Sequence, residues 1–179
     1  MTRSYLVVGL GNPLFGDDAI APLLAESLSE CNVNALNAEL DAFTAASYIE
    51  NIPLVIFIDI FDSSYGNLGE IVKVRLDPRR LSREELTHLI SRETGAHMVT
   101  PAHVVALAYA SGKFNGDAWV IGPIVEEIRF GQPPTHATIN TLDKILDELE
   151  KIISIKIDKG CVKKKFEEKR ERLANFALL

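Results

Sequence analysis

Two cysteines are all that this sequence of 179 residues contains, and Cys31 and Cys161 stand far apart, outside any Cys-x-x-Cys spacing. Neither a disulfide framework nor a structural zinc site is expected from them, and such usage fits a reducing cytoplasm. No apolar run approaches the roughly 20 residues of a membrane span. The N-terminus runs directly into Tyr5-Leu6-Val7-Val8-Gly9 and reads as a first strand, not a signal peptide. A surplus of basic charge is also missing: the formal net charge is −6, which provides no general pull toward nucleic acid or anionic membrane. Arg79, Arg80 and Arg83 form one candidate for a local basic patch, and a solvated loop is the competing reading. There is no His-Glu-x-x-His and no Gly-x-Ser-x-Gly. A cysteine nucleophile is equally unsupported, since Cys31 ends a helical pattern and Cys161 lies in a charged tail.

What is present is an ordinary globular composition, 47% hydrophobic and 25% charged, with length enough for one compact domain. Strand-like apolar runs alternate with helical patterns. Tyr5–Leu10 reads as a buried strand, followed by a Gly-rich loop and a helix from about Asp18 to Glu30. Val33–Leu40 is a second strand, Thr44–Asn51 a short helix, and Pro53–Asp59 a continuous apolar run of the kind buried on both faces. Glu70–Leu76 reads as a further strand. Ser82–Ile90 carries a Ser82/Glu85 capping box, and Thr100-Pro101 opens a helix to about Ser111. Ala118–Ile121 is the last core strand, and a long helix begins near Thr138. The expectation is a three-layer α/β/α domain, residues 1–158, with a mostly parallel twisted sheet of about five strands and helices on both faces. Residues 159–179 form a charged tail, expected to be a solvated helix, with a partner-binding segment as the alternative.

In open α/β sheets, ligands bind beyond the carboxyl ends of the strands. Three loops on that edge carry potential metal ligands. The first, Gly9-Leu10-Gly11-Asn12-Pro13-Leu14-Phe15-Gly16-Asp17-Asp18, imitates a dinucleotide fingerprint but has Leu14 where the third glycine belongs. Its two aspartates would meet a pyrophosphate anion to anion. Helix N-capping is the plain reading for Asp17 or Asp18 and explains one of them better than both. Asp59 ends an apolar strand, where a carboxylate is costly unless it meets a cation, donors or a cleft; capping the next turn is the alternative. Asp62 reads as a turn residue. His103 falls in the first turn of its helix, where the positive end of the dipole favours the neutral ring that a metal ligand must have. A purely structural histidine competes with that reading, as does His97 for the ligand role; His88 and His136 read as surface residues. Asp18, Asp59 and His103 together would make a mixed oxygen and nitrogen site with open positions.

These residues resemble the hydrogenase maturation endopeptidases over roughly residues 5 to 155. The opening Val-Gly-Leu-Gly-Asn-Pro-Leu-Phe-Gly-Asp-Asp-Ala-Ile-Ala-Pro is similar to that family's N-terminal signature. Asp18 matches its first acidic metal-contacting residue, Asp59 in Ile56-Phe57-Ile58-Asp59-Ile60 the second, and His103 in Thr-Pro-Ala-His-Val-Val-Ala-Leu-Ala its histidine. Val120-Ile121-Gly122-Pro123 and Gly131-Gln132-Pro133-Pro134-Thr135 are similar as well. The chain departs from the pattern at Asp41-Ala42-Phe43-Thr44, where many members have Asp-Gly-Gly-Thr, and at Ala102, an extra residue between Pro101 and His103. The resemblance implies a metal-dependent, aspartic-type endopeptidase that removes the C-terminal extension of a hydrogenase large-subunit precursor. Asp18, Asp59 and His103 would serve as its metal-sensing and catalytic residues. Nickel would come with the precursor, with another divalent metal able to stand in for it in vitro. Two rivals remain: a non-catalytic chaperone of the same precursors, and a peptidyl-tRNA hydrolase, which shares Gly-Leu-Gly-Asn-Pro but continues differently.

Overall fold

The computed structural model describes residues 4–39, 41–91, 99–126 and 128–176. Five strands form one sheet in the order β2-β1-β3-β5-β4: β1 Leu6–Leu10, β2 Ala35–Glu39, β3 Leu54–Ile58, β4 Ile71–Leu76 and β5 Asp117–Pro123. The first three and β5 are parallel, while β4 runs antiparallel on the edge beside β5. Central strands β1 and β3 are almost wholly buried, as their unbroken apolar runs require. Edge strand β4 alternates partly buried and exposed residues, the pattern of a strand with one wet face.

Because side chains alternate across a strand, the sheet divides the core into two layers. Val7, Ile56, Ile58 and Ile121 point to one side, against α1 (Ile20–Glu30), α6 (Leu142–Ile153) and α7 (Lys159–Phe176). Leu6, Val8, Val55 and Phe57 point to the other, against α2 (Ala42–Tyr48) and α4 (Pro101–Ala110). Helix α3 (Arg83–Ser91) begins with the expected reciprocal cap: Ser82 N–H donates to Glu85 and Glu85 N–H donates to Ser82 Oγ at 3.1 Å. The long helix expected from Thr138 is two pieces, a short α5 (His136–Ile139) and α6. Arg79 and Arg80 sit in ion pairs with Asp77 rather than in a bare basic patch.

Two expectations are corrected. Cys31 and Cys161 form a disulfide, with Cα atoms 6.0 Å apart across a sequence separation of 130 residues, so the absence of a bridge inferred from spacing does not hold. The pairing arises because α7 folds back along α1 and brings its first turn to the α1 C-terminus. For the same reason the tail is not a solvated helix. Val162 and Phe166 are completely buried in the layer formed by α1 and α6, with Leu173 packed against it. Lys169 reaches Glu26 and Glu30 on α1. The charged run masked a narrow apolar stripe that α7 turns inward.

Candidate functional site at the carboxyl edge of the sheet

The loop after β1 is built around Asp18. Gly11 has φ +152° there, and a Cβ on it would lie 2.3 Å from the Asp18 carbonyl and 2.9 Å from its carboxylate. Only glycine lets the chain pass this close. Asp18 then closes the loop by accepting the Asn12 N–H at 2.7 Å through Oδ2, and it stands in a 3-10 turn, Gly16–Ala19, ahead of α1.

Its neighbour has another task. Asp17 is buried and is not the cap of α1: its carboxylate accepts the Thr135 N–H at 2.6 Å and the Thr135 hydroxyl at 3.1 Å. It therefore ties the first loop to the segment before α5. The capping reading of Asp17 is corrected, since the partner lies 118 residues away in sequence, where local spacing carries no signal.

Asp59 stands one residue beyond β3, partly buried, with Oδ1 accepting the Ile60 N–H at 2.8 Å. Across from it, β5 passes so closely that a Cβ on Gly122 would sit 1.5 Å from the Asp59 carbonyl oxygen. Desolvation pushes the Asp59 carboxyl up to about 7, the Ile60 N–H counters that in part, and the negative charge of Asp18 adds to the rise. The first two predicted carboxylates are thus brought into mutual electrostatic reach. Asp62, as expected, is a turn residue, accepting the Ser64 N–H at 2.8 Å.

His103 lies in the first turn of α4 and is buried. Thr100 caps this helix and His103 completes the box: Nδ1 stands 2.9 Å from Thr100 Oγ1 and accepts the Thr100 N–H at 3.4 Å. Nδ1 is thereby directed at the cap, and Nε2 is the ring atom on the far edge. The C-terminal turn of α4 leads to β5, whose first residue, Asp117, pairs with Leu54 at the amino edge of the sheet. A ten-residue helix spans about 15 Å, which carries its first turn to the carboxyl edge that Asp18 and Asp59 occupy. Among the described residues, no three His, Cys, Asp or Glu side chains are gathered closely enough to hold a metal ion as they stand. His97 lies outside the described residues, as does the side chain of His88, and His136 is exposed.

Chemically, a carboxyl group near neutrality beside an anchored carboxylate can take or give a proton at physiological pH. It is also a pair that a cation would relieve, because a positive charge between the two removes both the desolvation cost and the repulsion.

A three-layer α/β/α domain with paired carboxylates where its strands end defines the class. Comparison with solved structures then specifies it. A hydrogenase 2 maturation peptidase from a Thaumarchaeota archaeon superposes with a TM-score of 0.64 at 25% identity, covering 86% of this chain and all of that one. The hydrogenase maturating endopeptidase HybD from E. coli gives 0.61 at 20% identity, over 84% and 93% of the two chains. The [NiFe] hydrogenase maturation protease HybD from Thermococcus kodakarensis gives 0.59 at 21%, over 84% and 98%. No family model matches the sequence, and no curated protein matches it. The chain has the fold of the hydrogenase maturation endopeptidases, as its opening loop, Asp59 strand and His103 helix led one to expect.

Proposed function

We propose that this chain is an endopeptidase that removes the C-terminal extension from the nickel-loaded precursor of a hydrogenase large subunit. The observation that carries the reading is the placement of two carboxylates, Asp18 in the loop after β1 and Asp59 just past the adjacent β3, in a fold shared with hydrogenase maturation proteases from bacteria and archaea.

Nickel belongs to the substrate in this reading, and the chain supplies open-sided oxygen and imidazole donors. Asp18, held by Asn12, offers a fixed carboxylate. Asp59 carries a proton near neutral pH and gives it up when a cation arrives. His103 is oriented through Nδ1 by its cap, which turns Nε2 to the remaining position. The metal supplies Lewis-acid polarisation of the scissile carbonyl or of an attacking water. Metal dependence, aspartic character and the ligand roles of the three residues are parts of the proposal. A cytoplasmic location also belongs to it. The Cys31–Cys161 bridge then requires a cell whose interior tolerates such bonds, as in hyperthermophiles.

Incubating the protein with nickel-loaded and nickel-free precursor, and reading loss of the C-terminal peptide by mass, tests the proposal. Cleavage of the loaded form alone is expected. Binding without cleavage of either form would instead indicate a chaperone.

A further inference from the structure

Two neighbouring aspartates in the loop after β1 have different partners, and the turn that carries them couples their directions. Asp17 and Asp18 are consecutive in the 3-10 turn Gly16–Ala19. Such a helix has about three residues per turn, so consecutive side chains leave its axis roughly 120° apart. Asp17 points inward and is buried with Gly16 and Ala19, while Asp18 between them is partly exposed. Fixing the direction of one carboxylate therefore fixes that of the other.

On the Asp17 side the turn is held by residues 131–135. Gly16 N–H donates to the Gln132 carbonyl at 3.1 Å, and Gly131 N–H donates to the Leu14 carbonyl at 2.8 Å. Phe15 and Phe130 meet edge to face, 5.3 Å between ring centres. Asp17 adds a grip at two points on one residue, accepting the Thr135 N–H at 2.6 Å and the Thr135 hydroxyl at 3.1 Å. The oxygen of that hydroxyl accepts the Thr138 N–H at 3.3 Å, which anchors the grip in the start of α5. On the other side, Asp18 Oδ2 accepts the Asn12 N–H at 2.7 Å, and a Cβ on Gly11 would lie 2.9 Å from Asp18 Oδ1. A buried carboxylate is a costly way to join two loops, because its charge must leave water. The backbone bonds and the aromatic pair join them without it. What a two-point, charge-assisted bond adds is direction: it stops the turn from rotating about its own axis.

We propose that Asp17 and Thr135 are positioning residues for the peptidase reaction, acting through the turn to hold the Asp18 carboxylate in its working direction. The inference rests on the proposed peptidase function, in which Asp18 faces the metal of the substrate. Displacing a reacting group by about 1 Å can cost on the order of 100-fold in rate. A turn free to rotate would thus lose turnover before it lost its fold.

The test uses the full chain with Asp17→Asn, Thr135→Val and Thr135→Ser, each checked by melting curves to be folded at the assay temperature. With nickel-loaded precursor, Asp17→Asn and Thr135→Val should lower kcat about tenfold or more and leave KM within about threefold. Thr135→Ser keeps the hydroxyl and should recover most of the kcat lost in Thr135→Val. Should Asp17→Asn fail to fold, Thr135→Val carries the test, since it leaves the buried carboxylate and the N–H in place. A second readout needs no substrate: hydrogen exchange at the Asn12 amide, which is bonded to Asp18 Oδ2. That amide should exchange about tenfold faster in Asp17→Asn and Thr135→Val while the amides of β3 keep their rates. A role in stability alone would speed β3 as well and spare kcat in the folded variants. Unchanged kcat, a rise in KM alone, or wild-type exchange at Asn12 in both folded variants overturns the inference. If wild-type protein never cuts nickel-loaded precursor, the peptidase reading fails, and Asn12 exchange decides separately whether Asp17 holds Asp18.

Discussion

Gly122 and Asp59 pass each other so closely that a side chain of any size on residue 122 would occupy the place of the Asp59 carbonyl oxygen, 1.5 Å from an added Cβ. Strand β5 thereby fixes the backbone from which the Asp59 carboxyl projects, and the bond from Asp59 N–H to the Ile121 carbonyl at 3.1 Å locks the register.

Gly122→Ala must push β5 and the Asp59 turn apart. Because backbone lies on both sides, no flexible side chain absorbs the strain, and a loss of about 3 kcal/mol or more is expected. Urea denaturation measures it. A near-native midpoint would show that the two strands separate easily.

Asp59 should make the fold less stable as pH rises. Its carboxyl titrates at about 7 in the folded chain against roughly 4 in an unfolded one. The folded state therefore binds more protons between those values. The contribution is intact below about pH 4 and is lost progressively up to and through pH 7. Asp59→Asn keeps an acceptor for the Ile60 N–H without the charge. It should match the wild type at pH 4 and exceed it by about 4 kcal/mol at pH 8. Parallel denaturation curves at both pH values would contradict the shift.

Asp17→Ala is expected to cost about 1–3 kcal/mol, because the part-buried N–H and hydroxyl of Thr135 lose their acceptor together. Asp17→Asn should recover part of this. Thermal melts decide the size, and a cost below about 0.5 kcal/mol would mean that water replaces the carboxylate.

For His103 the cap and the chemistry separate. His103→Ala removes the reciprocal cap, about 1 kcal/mol, and should abolish processing. Glutamine is a natural partner in such a box, so His103→Gln should restore stability without activity. Processing by the Gln variant would assign His103 to the cap alone.

Phe166→Ala opens a cavity in the layer between α1, α6 and α7 and should cost about 3–5 kcal/mol. Removing residues 159–179 should expose that layer and yield aggregating protein. A soluble, active truncation would show that α7 is dispensable.

The sheet, its order of elements and the Asp18 and Asp59 positions were legible because each is a local signal: apolar runs, capping residues and glycines where loops turn. Ser82 with Glu85 and Thr100 with Pro101 are signals of this kind, and both start helices as expected. What the local pattern does not decide depends on distant partners. Asp17 looks like a cap until Thr135 arrives from the other end of the domain. Phe166 looks isolated among lysines and glutamates until α7 lies along α1. Spacing puts His103 at a helix start, but its place within the Thr100 cap depends on side-chain geometry that spacing does not encode.

The Cys31–Cys161 bridge makes residues 31 to 161 a covalent ring with two short arms. Asp59 and His103 belong to the ring, Asp18 to the N-terminal arm, and Phe166 to the C-terminal arm. A single nick inside the ring leaves one molecule under oxidising conditions and two fragments after reduction. Both arms leave from the same bridge, so the Asp18 carboxylate of one and the buried Phe166 of the other share one covalent anchor, at the far end of α1 from Asp18.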